Sequence, residues 1–143
     1  MLLDGYGRRV DYLRLSVTDR CDLRCAYCMP EGFKGYEEPV HWLSFDEIER
    51  LLTVFARLGL KRIRLTGGEP LLRKNLPDLA RRLAALPGID DLSLSTNGTQ
   101  LAKHAASLRQ AGVTRLNVSL DSLDRERVSS ICRRDVLSQV LEG

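Results

Sequence analysis

The chain has 143 residues, 43% apolar and 29% charged. That is enough for one domain with a hydrophobic core and is ordinary for a globular protein. No apolar run approaches the roughly 20 residues of a membrane span, the first residues lack the layout of a secretory signal, and a net charge of +3 is too small to argue for nucleic acid; a cytoplasmic chain with neither a membrane nor a nucleic-acid partner is expected.

Four short strands are predicted to alternate with helices. The first covers about 12–18 and leads into a loop with three of the four cysteines, Cys21, Cys25 and Cys28. Residues 30–43 are rich in Gly, Glu and Pro and read as a long connection. Ser44 and Glu47 then form a capping-box pattern, and Phe45, Ile48, Leu51, Leu52 and Phe55 recur at helical spacing up to a stop at Gly59. The second strand, about 62–66, runs into Thr66-Gly67-Gly68-Glu69-Pro70. Asn75 and Pro77 open a helix to about 86. A third strand at about 91–95 turns at Asn97-Gly98 into a helix at about 101–111. The fourth strand, about 115–120, precedes two short helices, about 125–131 and 135–141. His41 and Trp42 read as local packing, Arg81-Arg82 and Arg133-Arg134 as solvated helix faces, Glu69 as a structural hydrogen-bonding residue and Cys132 as a buried structural thiol.

Strands alternating with helices imply βα units and a parallel sheet. Parallel strands covered on both faces read as continuous apolar runs, and these do not. Leu13, Leu15 and Val17 alternate with Arg14 and Ser16; Ile63 and Leu65 with Arg64 and Thr66; Leu92 and Leu94 with Ser93 and Ser95; Leu116, Val118 and Leu120 with Asn117, Ser119 and Asp121. Each strand therefore has one apolar face to pack under helices and one polar face. Burying so many polar groups unpaired would cost about 1–3 kcal/mol each, so the polar faces are expected to line a wet, concave, ligand-filled space. The expected fold is α/β, a partial (incomplete) TIM-type barrel of about four parallel strands with flanking helices.

The cysteines are spaced C-x3-C-x2-C. Thiolates are the ligands of iron–sulfur clusters, and three on a four-iron cube leave one iron open to hold a substrate or cofactor. Structural zinc competes for such a cluster, but it takes four closed ligands, usually in paired knuckles, and no second knuckle is present. Tyr27, between the last two thiolates, could lie beside an adenine ring. Two glycines after the second strand let backbone approach a ligand closely.

At these residues the chain resembles the radical-SAM superfamily and, within it, the GTP 3′,8-cyclase family of molybdenum-cofactor biosynthesis. The segments that carry the likeness are Leu13–Cys21 (LRLSVTDRC), Cys25–Pro30 (CAYCMP), Ile63–Arg73 (IRLTGGEPLLR), Leu94–Gly98 (LSTNG) and Leu116–Asp124 (LNVSLDSLD). The resemblance implies that Cys21, Cys25 and Cys28 hold one [4Fe–4S] cluster whose open iron takes S-adenosylmethionine (SAM). Tyr27, Gly68 and Ser119 would contact SAM, and Arg14, Arg64 and Ser95 would contact GTP. Ser95 stands where Thr is common in the family. Reductive cleavage of SAM would generate a radical that abstracts hydrogen from the ribose of GTP, whose carbon then attacks the guanine. A reductant protein as electron donor and a homodimer of the full-length form are also implied. Family members are more than twice as long and carry a second cysteine set for another [4Fe–4S] cluster, which is missing here. Residues 1–143 are therefore expected to be a radical-SAM core truncated before barrel completion and before that second-cluster region, unable to complete the cyclisation alone. Two other readings stay open: a different radical-SAM enzyme, such as a peptide-modifying maturase, and a non-catalytic iron–sulfur remnant.

Overall fold

The structure, a computed structural model, describes residues 1–30, 32, 33, 35, 36 and 42–143. Its sheet has four parallel strands, β1 (Tyr12–Ser16), β2 (Arg62–Thr66), β3 (Asp91–Thr96) and β4 (Arg115–Val118), lying side by side in sequence order. The register sets Leu13 beside Ile63, Leu65 beside Leu94 and Ser95 beside Asn117. Side chains alternate between faces, so the rows of Leu and Ile fall together on one face. Three helices cover that face: α1 (Phe45–Arg57), α2 (Leu76–Ala84) and α3 (Leu101–Gln110). Leu52, Leu79, Leu83 and Leu108 meet Ile63, Leu65, Leu92 and Leu94 in one buried core. Two further helices, α4 (Arg125–Cys132) and α5 (Leu137–Glu142), build a second apolar cluster around Leu23, Val128, Val136 and Val140, against which Cys21 and Cys25 pack. Among the described residues no helix is long and apolar enough to cross a membrane.

The capping box forms as the sequence implies: Ser44 Oγ accepts from the Glu47 amide at 3.3 Å, and Glu47 Oε2 accepts from the Ser44 amide at 2.8 Å. Other details differ from expectation. β1 stops at Ser16, and Val17 and Thr18 leave the regular ladder while staying bonded to the end of β2 and the turn after it: the Val17 amide donates to Thr66 and the Gly68 amide to Thr18. A 3-10 turn at Pro70–Leu72, absent from the sequence reading, follows, with the Glu69 carboxylate accepting from the Leu71 amide. Asn75 precedes α2 in a left-handed conformation, φ 60°, without a side-chain cap, so Pro77 in the first turn is the helix-opening signal that acts. Arg82 is tied into the fold: its guanidinium bridges α2 to Asp46 and Glu49 of α1. Arg133 takes the left-handed position that closes α4, φ 56°, and Arg134 reaches back to Asp22. Trp42 lies under the Arg73 guanidinium, 4.7 Å from its ring centre, while His41 lies outside the described residues.

β4 departs most from the two-faced expectation. All four of its residues are exposed, with Leu116 at 46% and Val118 at 42% exposure. Its outer edge has no neighbouring strand among the described residues.

Candidate functional site

The cysteine loop is irregular backbone and takes its shape from distant parts of the chain. The Arg24 amide donates to the Cys132 carbonyl at 3.3 Å and the Ala26 amide to the Ile131 carbonyl at 2.9 Å, so the end of α4 acts as a rail along the loop. On the other side, Asp22 is held by the loop after β3. Asn97 Nδ2 donates to Asp22 Oδ1 at 2.8 Å and Thr99 Oγ1 to Asp22 Oδ2 at 2.7 Å, with Arg134 at 3.5 Å. A turn between Cys25 and Cys28, with the Cys28 amide donating to the Cys25 carbonyl at 2.9 Å, brings the last two cysteines back toward each other.

The Gly67-Gly68 turn packs on the backbone immediately before Cys21. The Gly68 amide donates to Thr18 at 2.8 Å and the Glu69 amide to Arg20 at 2.7 Å. A Cβ at Gly67 would run into the Thr18 carbonyl, and one at Gly68 into those of Asp19 and Arg20. The close approach expected here is thus first an approach to the chain's own loop. Below it, Glu69 is fully buried. Its carboxylate accepts from the Leu71 amide at 3.0 Å, Thr96 Oγ1 at 2.8 Å and the Asn97 amide at 2.7 Å. Burial pushes its carboxyl above the ordinary range, with the three donors opposing the shift. Every oxygen of that side chain is committed to joining β2 to the end of β3, a structural role.

The predicted site residues are distributed over one end and one face of the sheet. Cys21 and Cys25 are half-buried and Cys28 exposed, none in a disulfide. Tyr27 is 70% exposed, not packed under the loop, and its hydroxyl donates to Asp121 Oδ2 at 3.1 Å, joining the cysteine loop to the chain leaving β4. Partial desolvation, the neighbouring Cys25 and that bond raise its phenol. Gly68 is exposed. Ser119 follows β4 directly, exposed, its amide bonded to the Thr96 carbonyl at 2.9 Å. Arg14 and Arg64 are register partners on the polar face, and Ser95 lies one row further along it. Arg64 Nε donates to Ser93 Oγ at 3.4 Å and its guanidinium stacks over Tyr12 at 5.7 Å. Ser93, expected on the wet face, is buried and bonds the Ile63 carbonyl at 3.3 Å. The Arg64 side chain beside it supplies a polar neighbour and takes the place of solvent.

A cavity of about 490 Å³ lies elsewhere, lined by Trp42, Phe45, Arg73 and Asn75 among others, and holds none of the predicted site residues. Asp22, Asn97, Asp121 and Cys132 belong to the neighbourhood of the cysteines without having been predicted there. Asn97 lay in a quoted motif and Asp22 inside the cysteine spacing, so both were legible as candidates. The pairing of Cys132 with a loop more than a hundred residues earlier was not.

Among the described residues, no three His, Cys, Asp or Glu side chains converge as the ligands of one metal ion do. Ligands of a cubane behave differently: each thiolate caps its own iron, so the sulfurs stand apart around the cluster. In donor chemistry, though not by any sulfur spacing, the set matches such a cluster. It offers three free thiols and donors aimed at sulfur: the Leu23 amide is 3.5 Å and Asn97 Nδ2 3.9 Å from Cys21 Sγ. Burial holds the Cys21 thiol above its usual range, so a metal bound there would have to displace a tightly held proton.

The chain is 56% identical over 142 residues to a GTP 3′,8-cyclase of Ectopseudomonas mendocina, covering 99% of this chain and 43% of the relative. It is 54% identical over 143 residues to a GTP 3′,8-cyclase of Pseudomonas fluorescens, covering 100% of this chain and again 43% of the relative. It therefore spans less than half the length of these curated relatives. Among solved structures, Streptococcus suis SuiB bound to its precursor peptide SuiA superposes with a TM-score of 0.66 over 85% of this chain and 26% of SuiB, at 22% identity, a likeness of fold. The sequence profile of the radical SAM superfamily matches residues 15–143. A match that begins inside β1 and runs to the end of α5 leaves none of β2, β3 or β4 outside it: the chain belongs to the radical SAM superfamily.

Proposed function

We propose that the chain is the cluster- and SAM-binding part of a GTP 3′,8-cyclase acting in molybdenum-cofactor biosynthesis in the cytoplasm. The observation that carries this reading is identity above one half along the whole chain to enzymes of that name. Cys21, Cys25 and Cys28 would hold a [4Fe–4S] cluster. When bound, the cluster and SAM would supply reductive radical chemistry. This chain's residues bind and orient. Backbone at Gly68 would offer polar groups to the methionyl part of SAM, Tyr27 would lie on its adenine side, and Ser119 would contribute a hydroxyl from the end of β4. Arg14 and Arg64, paired across β1 and β2, present two guanidinium forks to the anionic triphosphate of GTP, and Ser95 adds a hydroxyl on the same face. Holding the ribose of GTP close to bound SAM would be the protein's main contribution. A reductant protein would supply the electron, and the full-length form would carry the second cluster and form a homodimer.

The test is anaerobic reconstitution with iron and sulfide, reduction, addition of SAM and an assay for 5′-deoxyadenosine. The expected result is SAM cleavage that disappears in Cys25→Ala, GTP binding that weakens at least tenfold in Arg14→Ala and Arg64→Ala, and no cyclised nucleotide. Folded chain that assembles no cluster overturns the reading. Cleavage without GTP binding would assign the chain to another member of the superfamily.

A further inference from the structure

Arg14, Arg62, Arg64 and Arg115 share the polar face of the sheet, but they fall into two kinds. Arg62 is tied to Asp11 at 2.6 Å, and Arg115 reaches back to Asp91. Arg14 and Arg64, register partners, have no carboxylate partner among the described residues. Like charges set side by side on a sheet repel, so this row needs support from its neighbours. Tyr12 precedes Arg14 on the same face of β1 and is the register partner of Arg62. Its ring centre lies 5.7 Å from the Arg64 guanidinium carbon and 5.6 Å from that of Arg62. Arg64 is held at a second point as well. Its Nε donates to Ser93 Oγ at 3.4 Å, and the buried Ser93 is itself fixed by donating to the Ile63 carbonyl at 3.3 Å. The Nη nitrogens of Arg64 make no hydrogen bond among the described residues.

A guanidinium grips phosphate through its planar fork. A mobile arginine gives up rotamer freedom when it does so, and one already held in place gives up less. The face of a tyrosine ring attracts a cation, so Tyr12 both fixes Arg64 and offsets its repulsion from Arg14. With Nε engaged on Ser93, the Nη side of the fork is left for a ligand. We propose that Tyr12 is a positioning residue: its ring holds the Arg64 guanidinium so that Arg64 and Arg14 together grip the phosphate chain of a nucleoside triphosphate. This rests on the reading above that these two arginines meet GTP. It separates the row by task. Arg62 and Arg115 are spent on acids of the sheet itself, whereas Arg14 and Arg64 keep their charge for an anion from outside.

Two measurements test it. In the first, binding of GTP and of inorganic triphosphate to the chain is measured by calorimetry. Tyr12→Leu should weaken both about fivefold, the size of effect a cation–π contact supplies. Tyr12→Phe should retain parent binding, because the ring and not the hydroxyl makes the contact. Equal binding by Tyr12→Leu and parent overturns the proposal, and so does a loss in Tyr12→Phe as large as that in Tyr12→Leu. In the second, the side-chain Nε–H signals of the ligand-free, nitrogen-15-labelled chain are recorded by NMR, with that of Arg64 assigned by its disappearance in Arg64→Lys. The Arg64 signal should lie upfield of the Arg14 signal and exchange more slowly with water, and Tyr12→Phe should keep both properties. An Arg64 signal that exchanges as fast as that of Arg14 overturns the fixation, whatever the nucleotide does. A chain that holds Arg64 in this way but binds neither ligand overturns the nucleotide reading, and the proposed grip with it.

Discussion

Glu69 shows how much one residue can carry at this site. Its three accepted hydrogen bonds come from a turn, a strand and the loop that holds Asp22. Leaving a buried donor unpaired costs about 1–3 kcal/mol. Glu69→Ala orphans three, so a loss of about 3 kcal/mol or more is expected in urea unfolding. Glu69→Gln has a milder effect, about 1–3 kcal/mol, because its amide nitrogen must face at least one of those donors. Equal midpoints for the two variants would contradict this account. The sequence allowed Glu69 to be read as structural. What it could not disclose was the destination of the bonds, because Thr96 and Asn97 lie 27 and 28 residues away and only the pairing of β2 with β3 brings them close.

The strands are held at their starting ends as well as by their ladders. Asp91, at the start of β3, accepts from Arg115 Nε at 3.1 Å and from Thr114 Oγ1 at 3.0 Å, which fixes where β4 begins. The Arg115 hydrogen bond holds the Asp91 carboxyl below the usual carboxylate range. A carboxyl lowered on folding adds stability above its unfolded value, about 3.9, and that stability is lost as pH falls through the folded value. Asp91→Asn should therefore melt below the parent at pH 7, with the gap closing below about pH 4; a gap independent of pH would sink this assignment. At this scale the sequence was most readable. Alternating strands, the Ser44 capping box and the helix stop at Gly59 marked β2 to the residue and every α-helix in its place. The ends of β1 and β4 were misjudged because Val17, Thr18 and Ser119 look like strand residues, yet their amides or carbonyls are drawn to turns at the neighbouring strand's end. Ser93 was misplaced because periodicity assigns a face and says nothing about which side chain, here Arg64, covers it.

For the molecule as a whole, the sheet is closed on one side by helices and open at β4. An unpaired edge with exposed Leu116 and Val118 is a template for strand addition. The 143-residue chain should associate as its concentration rises. Sedimentation should show this, and Leu116→Lys with Val118→Lys should abolish it; a parent that stays monomeric at high concentration would contradict the expectation. A different consequence follows from the way the cysteine loop is braced. Cys21, Cys25 and Cys28 emerge early in synthesis, but their supports are Asn97, Thr99, Ile131, Cys132 and Arg134. A ribosome adding about 5–20 residues per second needs roughly 5–20 s to deliver those supports. For that interval the three thiols form a peptide without its braces, so ordered metal insertion waits until α4 is in place, and the nascent segment depends on a reducing surrounding until then.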